Sequence, residues 1–400
     1  MATTTGKVKG RPVAITGAEL MAHAMRQTNP DVVACYPITP QTVVTEAFSE
    51  FVARGEVKTE FVAVESEHAA MSACVGAAAA GARAQTATAG PGLALMWEIL
   101  YVASGNRLPI VMHLATRSFS APINILCDHS DAMGMRDSGW IMLVGEGPQE
   151  AYDNGIMAVR IAEHPDVMLP VANLLDGFII THAVERSEML PDDVVEKFVG
   201  VYNAPYSLLN VDKPVTFGPI DFHDYYFDHK RQQIEAMTNS KKVIEQVSAE
   251  FGAITGRHYG LLETYKMDDA EYAVIIMGSS ASTLREAIDN LRKEGMKAGM
   301  IKVRCYRPFP TEELAALLKP LKGVSVLERS TGFGGAANGL TAEVAFVMHA
   351  YGIESRLKSY VYGLGGKDTT PTLFRRAYDD LLKPRKGIGP EPIGYLGIRE

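Results

Sequence analysis

Residues 32–40 read VVACYPITP, residues 61–69 read FVAVESEHA and residues 84–92 read AQTATAGPG. Each stretch is a short apolar run that ends in prolines, glycines or acidic residues. Apolar runs without polar alternation are the mark of parallel strands covered on both faces. Between them lie segments of helical character, Thr42 to Ala53 and Glu67 to Ala80. Strand and helix alternating over short connections imply parallel strands joined by right-handed crossovers. In an open sheet of that kind, ligands bind at the carboxyl ends of the strands. All three unusual endings fall there, so they read as one site.

The alternation continues on both sides. Thr16-Gly17-Ala18-Glu19 fits a capping box, and Leu20, Met21, Ala24 and Met25 follow at helical spacing. Downstream come a helix over Leu93–Ala103, strands at Pro109–Ala115 and Ile141–Val144, a helix over Ala151–Ala162 and a strand at Val167–Val171. From Val184 to Tyr226 the periodicity fails, and prolines, asparagines and glycines mark the best linker candidate. A charged helix, Asp228 to Phe251, follows. A second unit starts at Ala273–Met277 and continues with helices Thr283–Lys293 and Glu312–Leu318 and strands Ala298–Val303 and Val324–Leu327. The expected fold is α/β: a doubly wound, mostly parallel sheet over residues 1–245, with a linker region at 184–245, then a smaller α/β domain over residues 246–400.

The 400 residues are 47% hydrophobic and 22% charged, ordinary for a globular chain. A net charge of −8 argues against a nucleic-acid or anionic membrane partner. Met1 to Arg11 is polar and basic without an apolar core, and no run approaches the roughly 18 apolar residues of a membrane span. The expected location is the cytoplasm. Cys35, Cys74, Cys127 and Cys305 are scattered with no C-x-x-C pair, so no iron–sulfur or zinc cassette is written here. They read as reduced core thiols.

Five segments carry candidate chemistry. Glu67 opens a helix of small residues, which let neighbouring elements close over its carboxyl and favour a proton-sharing form. The alternative is an ordinary capping carboxylate. Glu65 competes, but at the strand end it should face away. Tyr36-Pro37-Ile38-Thr39-Pro40 is a rigid strand tip that would present the Thr39 hydroxyl and the N–H groups of Ile38 and Thr39, or else a stiff turn and no more. Arg117, at a strand end, suits bidentate capture of a carboxylate or phosphate, or is a solvated arginine. Cys127-Asp128-His129-Ser130-Asp131 and Arg136-Asp137 form a polar cluster whose spacing suits no metal; it reads as a hydrogen-bonded loop scaffold. Gly332-Phe333-Gly334-Gly335-Ala336-Ala337 fits the dinucleotide pattern G-x-G-x-x-A, but the acidic residue expected at the end of the next strand is missing, since Glu354 falls before that strand. A tight strand–helix turn is the preferred reading.

Together, Tyr36–Pro40, Val64–Ala69, Thr88–Gly92, Asp128–Asp131 and Arg136–Trp140, with Met277–Ser280 and Ile301–Pro310 in the second unit, resemble the α subunit of the pyruvate:ferredoxin oxidoreductase family. The resemblance covers nearly the whole chain. It implies a thiamine-diphosphate pyrimidine-type domain followed by a transketolase-C-terminal-like domain. It also implies that Glu67 hydrogen-bonds N1′ of the aminopyrimidine, that Thr39 and Arg117 contact the 2-oxoacid, and that Pro37, Ile38, Thr88 and Gly90 line the cofactor. Thiamine enzymes hold Mg2+ and diphosphate through a Gly-Asp-Gly motif, which this sequence lacks; Asp176-Gly177-Phe178 does not match it. The resemblance therefore implies half an active site. A β subunit would bring diphosphate and Mg2+, γ and ferredoxin-like δ subunits the [4Fe-4S] clusters, coenzyme A would accept the acyl group, and ferredoxin the electrons. Ile123-Asn124 suits pyruvate as substrate. The competing readings are the same chemistry on a branched 2-oxoacid, 2-oxoglutarate or an aryl glyoxylate, a nicotinamide-dependent dehydrogenase using Gly332–Ala337, and a scaffold subunit without a site.

Overall fold

The computed structural model describes residues 7–384 and 391–399; of the polar segment Met1–Arg11, residues 1–6 lie outside them. The first half runs β1 (Arg11–Thr16), α1 (Gly17–Gln27), β2 (Val32–Cys35), α2 (Thr42–Ala53), β3 (Glu60–Ala63), α3 (Glu67–Ala79), β4 (Ala84–Thr88), α4 (Gly90–Leu95), α5 (Trp97–Gly105), β5 (Val111–Thr116), α6 (Ser130–Met135), β6 (Ile141–Val144), α7 (Pro148–Ala162), β7 (Val171–Asp176), β8 (Val184–Met189) and α8 (Asp192–Val199). The second half runs α9 (Tyr226–Thr255), β9 (Leu262–Tyr265), β10 (Tyr272–Ile276), α10 (Ser280–Lys293), β11 (Ala298–Val303), β12 (Cys305–Arg307), α11 (Thr311–Leu318), β13 (Gly323–Glu328), α12 (Gly339–Ala350), β14 (Arg356–Tyr362), α13 (Pro371–Leu382) and β15 (Gly394–Leu396).

The larger sheet has the order β12-β6-β7-β5-β4-β2-β3 and the second β15-β14-β13-β10-β11-β9. Both are parallel except for one antiparallel edge strand each, β12 and β9. The expected α/β class holds. Side chains alternate across the larger sheet as strand geometry requires. Val33 and Cys35 face a core formed with α1, α2 and α7, while Ala34 faces the opposite side with Met71 and Cys74 of α3. That second core runs without a break into the face of the other sheet that carries Ile275, Ile301 and Val326. All four cysteines are buried and free. No helix among the described residues is long and apolar enough to cross a membrane.

Several elements differ from expectation, each for a local reason. Val184 to Val199, read as irregular, forms β8 and α8; β8 is polar and is held by six antiparallel pairings with β1, itself unread. The strand placed at Val167–Val171 begins at Val171 and continues to Asp176, because Met168 takes a positive φ of 45° and the buried Asn173 and Asp176 interrupt the apolar run. The helix read over Leu93–Ala103 is two, α4 and α5, meeting at Met96. β12 is a three-residue strand of the second half that closes the edge of the first sheet. An ion-paired layer joins the same two parts: Lys302 lies 2.6 Å from Glu146 and 3.1 Å from Glu150, and Arg304 binds Glu150 and, at 2.7 Å, Asn154.

Candidate active site

The site forms where β2, β3, β4 and β5 end. Ser66 Oγ accepts the Ala69 N–H at 3.2 Å and caps α3, so Glu67 becomes its first residue, where the helix dipole favours a carboxylate. Glu67 is buried, whereas Glu65 is exposed. β4 delivers Thr88, fully buried, whose Oγ1 has no hydrogen-bond partner among the described residues. The chain then turns through Gly90-Pro91-Gly92. A Cβ on Gly92 would lie 2.6 Å from both Glu67 Oε1 and Thr88 Oγ1. A Cβ on Gly90, whose φ is +42°, would lie 2.6 Å from Arg117 Cγ. One turn thus passes between Glu67 and Thr88 on one side and Arg117 on the other, and only glycine leaves room for it.

Arg117 stands just past β5. Its guanidinium donates through Nη1 to the Thr39 carbonyl at 2.8 Å, its Nε has no partner among the described residues, and burial lowers its pKa. The fold therefore gathers Glu67, Thr88, Gly90, Arg117 and the Thr39 loop. In that loop Tyr36, Pro37 and Thr39 are exposed and Ile38 is half-buried. The Ile38 N–H, expected to be free, donates to Gln41 Oε1 at 3.2 Å, and its carbonyl accepts from the N–H of Gln41 at 2.7 Å and of Thr42 at 3.1 Å. Ile38 is thus tied into the start of α2; the amide side chain three residues ahead was the available signal.

Asp131 escaped the sequence reading as anything but scaffold. Its Oδ2 accepts the N–H of Gly90 at 2.9 Å and of Arg117 at 3.0 Å, and its Oδ1 accepts that of Ala132 at 2.7 Å. Full burial pushes its pKa up to about 7, against the pull of the three N–H donors.

Cys127, His129 and Asp176 bring their ligand atoms within 4.8 Å of one another. The Arg329 guanidinium already lies among them, with Nη1 3.2 Å from both Cys127 Sγ and Asp176 Oδ2. Asp176 also meets His129 Nε2 at 2.8 Å and accepts from Ser279 N at 3.0 Å and Ser279 Oγ at 2.6 Å. Burial alone would raise the Asp176 pKa; His129 and Arg329 overcome it and hold the carboxyl well below its usual range. A fixed cation in the centre suits a hydrogen-bonded joint between the two halves, not a metal. At the glycine loop 332–337, the Glu328 carboxylate accepts from the N–H groups of Leu340 at 2.8 Å and Thr341 at 3.0 Å. The donors that a pyrophosphate would need at the start of α12 are taken by a buried acid. These glycines make a turn.

Two family models match the chain. One is pyruvate flavodoxin/ferredoxin oxidoreductase, thiamine-diphosphate-binding, over residues 23–249; the other is pyruvate:ferredoxin oxidoreductase core domain II, over residues 270–374. The chain is 54% identical to pyruvate synthase subunit PorA of Thermotoga maritima over 388 residues, 97% of this chain and 98% of that protein. It is 39% identical to ketoisovalerate oxidoreductase subunit VorA of Pyrococcus horikoshii over 92% of this chain and 93% of that one. In structure it resembles the 2-oxoglutarate:ferredoxin oxidoreductase of Magnetococcus marinus, solved with 2-oxoglutarate, coenzyme A and succinyl-CoA, with a TM-score of 0.72 at 20% identity. That likeness covers 93% of this chain but 65% of the longer one.

Proposed function

The chain belongs to the pyruvate flavodoxin/ferredoxin oxidoreductase family, and on that footing we propose that it is the subunit of a pyruvate:ferredoxin oxidoreductase that holds the pyrimidine end of thiamine diphosphate and the substrate carboxylate. The observation that carries this reading is the Gly90–Gly92 turn, with a buried carboxyl and an unpartnered hydroxyl on one side and a guanidinium on the other. The donor set fits the cofactor's polar pyrimidine edge: Glu67 brings a buried carboxyl and Thr88 an unpartnered hydroxyl, and the two glycines let the turn pack directly against both and against Arg117. Bound there, thiamine diphosphate supplies the electron sink for decarboxylation.

The roles of the chain's own groups follow from their chemistry. Glu67 holds a proton against N1′. Arg117 neutralises the 2-oxoacid carboxylate, and Thr39 offers it a hydroxyl. The Pro37–Ile38 backbone borders the same space. The reaction is pyruvate plus coenzyme A giving acetyl-CoA, CO2, one proton and two electrons, or its reverse. Without a Gly-Asp-Gly motif or cluster cysteines, the chain needs a β subunit for Mg2+ and diphosphate, γ and δ subunits for the [4Fe-4S] clusters, and ferredoxin as acceptor, in the cytoplasm. The relationship to the ketoisovalerate enzyme's subunit favours a branched 2-oxoacid as the second reading.

Anaerobic co-purification of the complex, followed by coenzyme-A-dependent viologen reduction, tests this. Activity with pyruvate that requires the partner chains supports the proposal. Activity only with another 2-oxoacid moves the substrate. Activity of the chain alone refutes the half-site reading.

A further inference from the structure

β4 and β5 pair in register from Gln85 with Val111 to Thr88 with Leu114. Gly90 and Arg117 lie beyond that last rung, where no backbone ladder holds the two strand ends together. Asp131 supplies the missing rung with a side chain. A single oxygen, Oδ2, accepts from both Gly90 N–H and Arg117 N–H, and the carboxylate is anchored from behind by Ala132 N–H. Gly90 has no side chain with which to fix itself and sits at a φ of +42°. The carboxylate grips the Arg117 main chain, while the guanidinium's own contact is the Thr39 carbonyl. The positive charge is therefore placed without being consumed by an internal ion pair.

We propose that Asp131 is a positioning residue: its carboxylate sets the distance between the cofactor-side turn at Gly90 and the substrate-side Arg117. This rests on the assignment of Arg117 to the 2-oxoacid carboxylate. A group that places a binding cation acts on substrate KM. A group that merely staples a loop acts on the folded fraction and leaves the KM of the surviving molecules alone. Asparagine keeps one carbonyl oxygen for the two N–H groups but loses the charge and sets its amide against the Ala132 N–H, so it should do part of the work.

The test uses the assembled complex, with Asp131→Ala, Asp131→Asn and Arg117→Ala side by side and rates normalised to intact complex. Asp131→Ala should raise the pyruvate KM about tenfold or more and Asp131→Asn about threefold, while thiamine diphosphate affinity changes less than about threefold. If Asp131→Ala does not assemble, the Asp131→Asn KM decides alone. An unchanged KM in the Asp131 variants, beside a raised KM in Arg117→Ala, overturns the proposal and leaves the site assignment standing. An unchanged KM in Arg117→Ala removes the assignment and the proposal with it.

Discussion

Gly92 is the position at which the site has least room. Replacing it by alanine adds one methyl group 2.6 Å from Glu67 Oε1, 2.6 Å from Thr88 Oγ1 and 2.8 Å from Glu67 Cγ. Ordinary contact starts at about 3.4 Å, so the glutamate and threonine must retreat by about 0.8 Å. Gly92 is buried against rigid elements, and overpacking of that kind costs about 1–3 kcal/mol of stability. The larger effect is on the chemistry, where a displacement near 1 Å costs about a hundredfold. Gly76→Ala is the control. It lies in α3 with Glu67, is exposed, and its new methyl meets nothing within 4 Å. It should leave turnover unchanged and add about 0.5–1 kcal/mol of stability. The assay is pyruvate-dependent viologen reduction by reconstituted complexes, with thiamine diphosphate affinity measured by titration. A Gly92→Ala complex that turns over within about threefold of the parent would show that Glu67 and Thr88 are not where the reaction takes place.

Glu67→Gln, nearly isosteric, should preserve assembly and slow turnover by about a hundredfold or more; near-normal rates would remove its proton from the mechanism. Arg117→Ala should raise the pyruvate KM by at least about tenfold with little change in cofactor affinity, and a flat substrate dependence would take the arginine out of the site. His113 is buried between Gln85 Oε1 at 3.2 Å and Asn173 Nδ2 at 3.4 Å, and burial pushes its pKa down to about 3. The unfolded chain takes up its proton near pH 6.5 and the folded chain does not, so stability falls as the pH drops below 6.5, by about 2 kcal/mol at pH 5. Urea unfolding of His113→Gln should lack that part of the slope; parallel pH profiles for parent and variant would refute it.

The sheet of the first half was readable because parallel strands buried on both faces leave unbroken apolar runs, as at Val32–Cys35 and Ile141–Val144. Glu67, Arg117 and the Thr39 loop were readable as strand-end chemistry. Their meeting across one glycine turn was not, because it depends on distances of closest approach that no spacing encodes. β8 was hidden because its stability comes from pairing with β1, not from an apolar face of its own. Asp131 was visible as a polar residue in a polar loop, but two of its three donors, Gly90 and Arg117, come from separate strand ends. The glycines at 332–337 match a nucleotide fingerprint but lack its acidic partner, which already favoured a plain turn; Glu328, which occupies the N–H groups at the helix start, gives the physical reason.

The short strand β12 has a consequence for biosynthesis. β6 ends at Val144, and the strand that covers its edge ends at Arg307, which is 163 residues later. At about 5–20 residues per second, the ribosome needs roughly 8–33 s to make that stretch. Throughout that interval the nascent sheet carries a bare, apolar edge, the feature that recruits stray strands from other chains. The first half therefore cannot finish folding as it emerges, and truncation after α9 should yield aggregates in place of a free-standing domain. For the same reason, a gene split between the two matched segments would need its products made together.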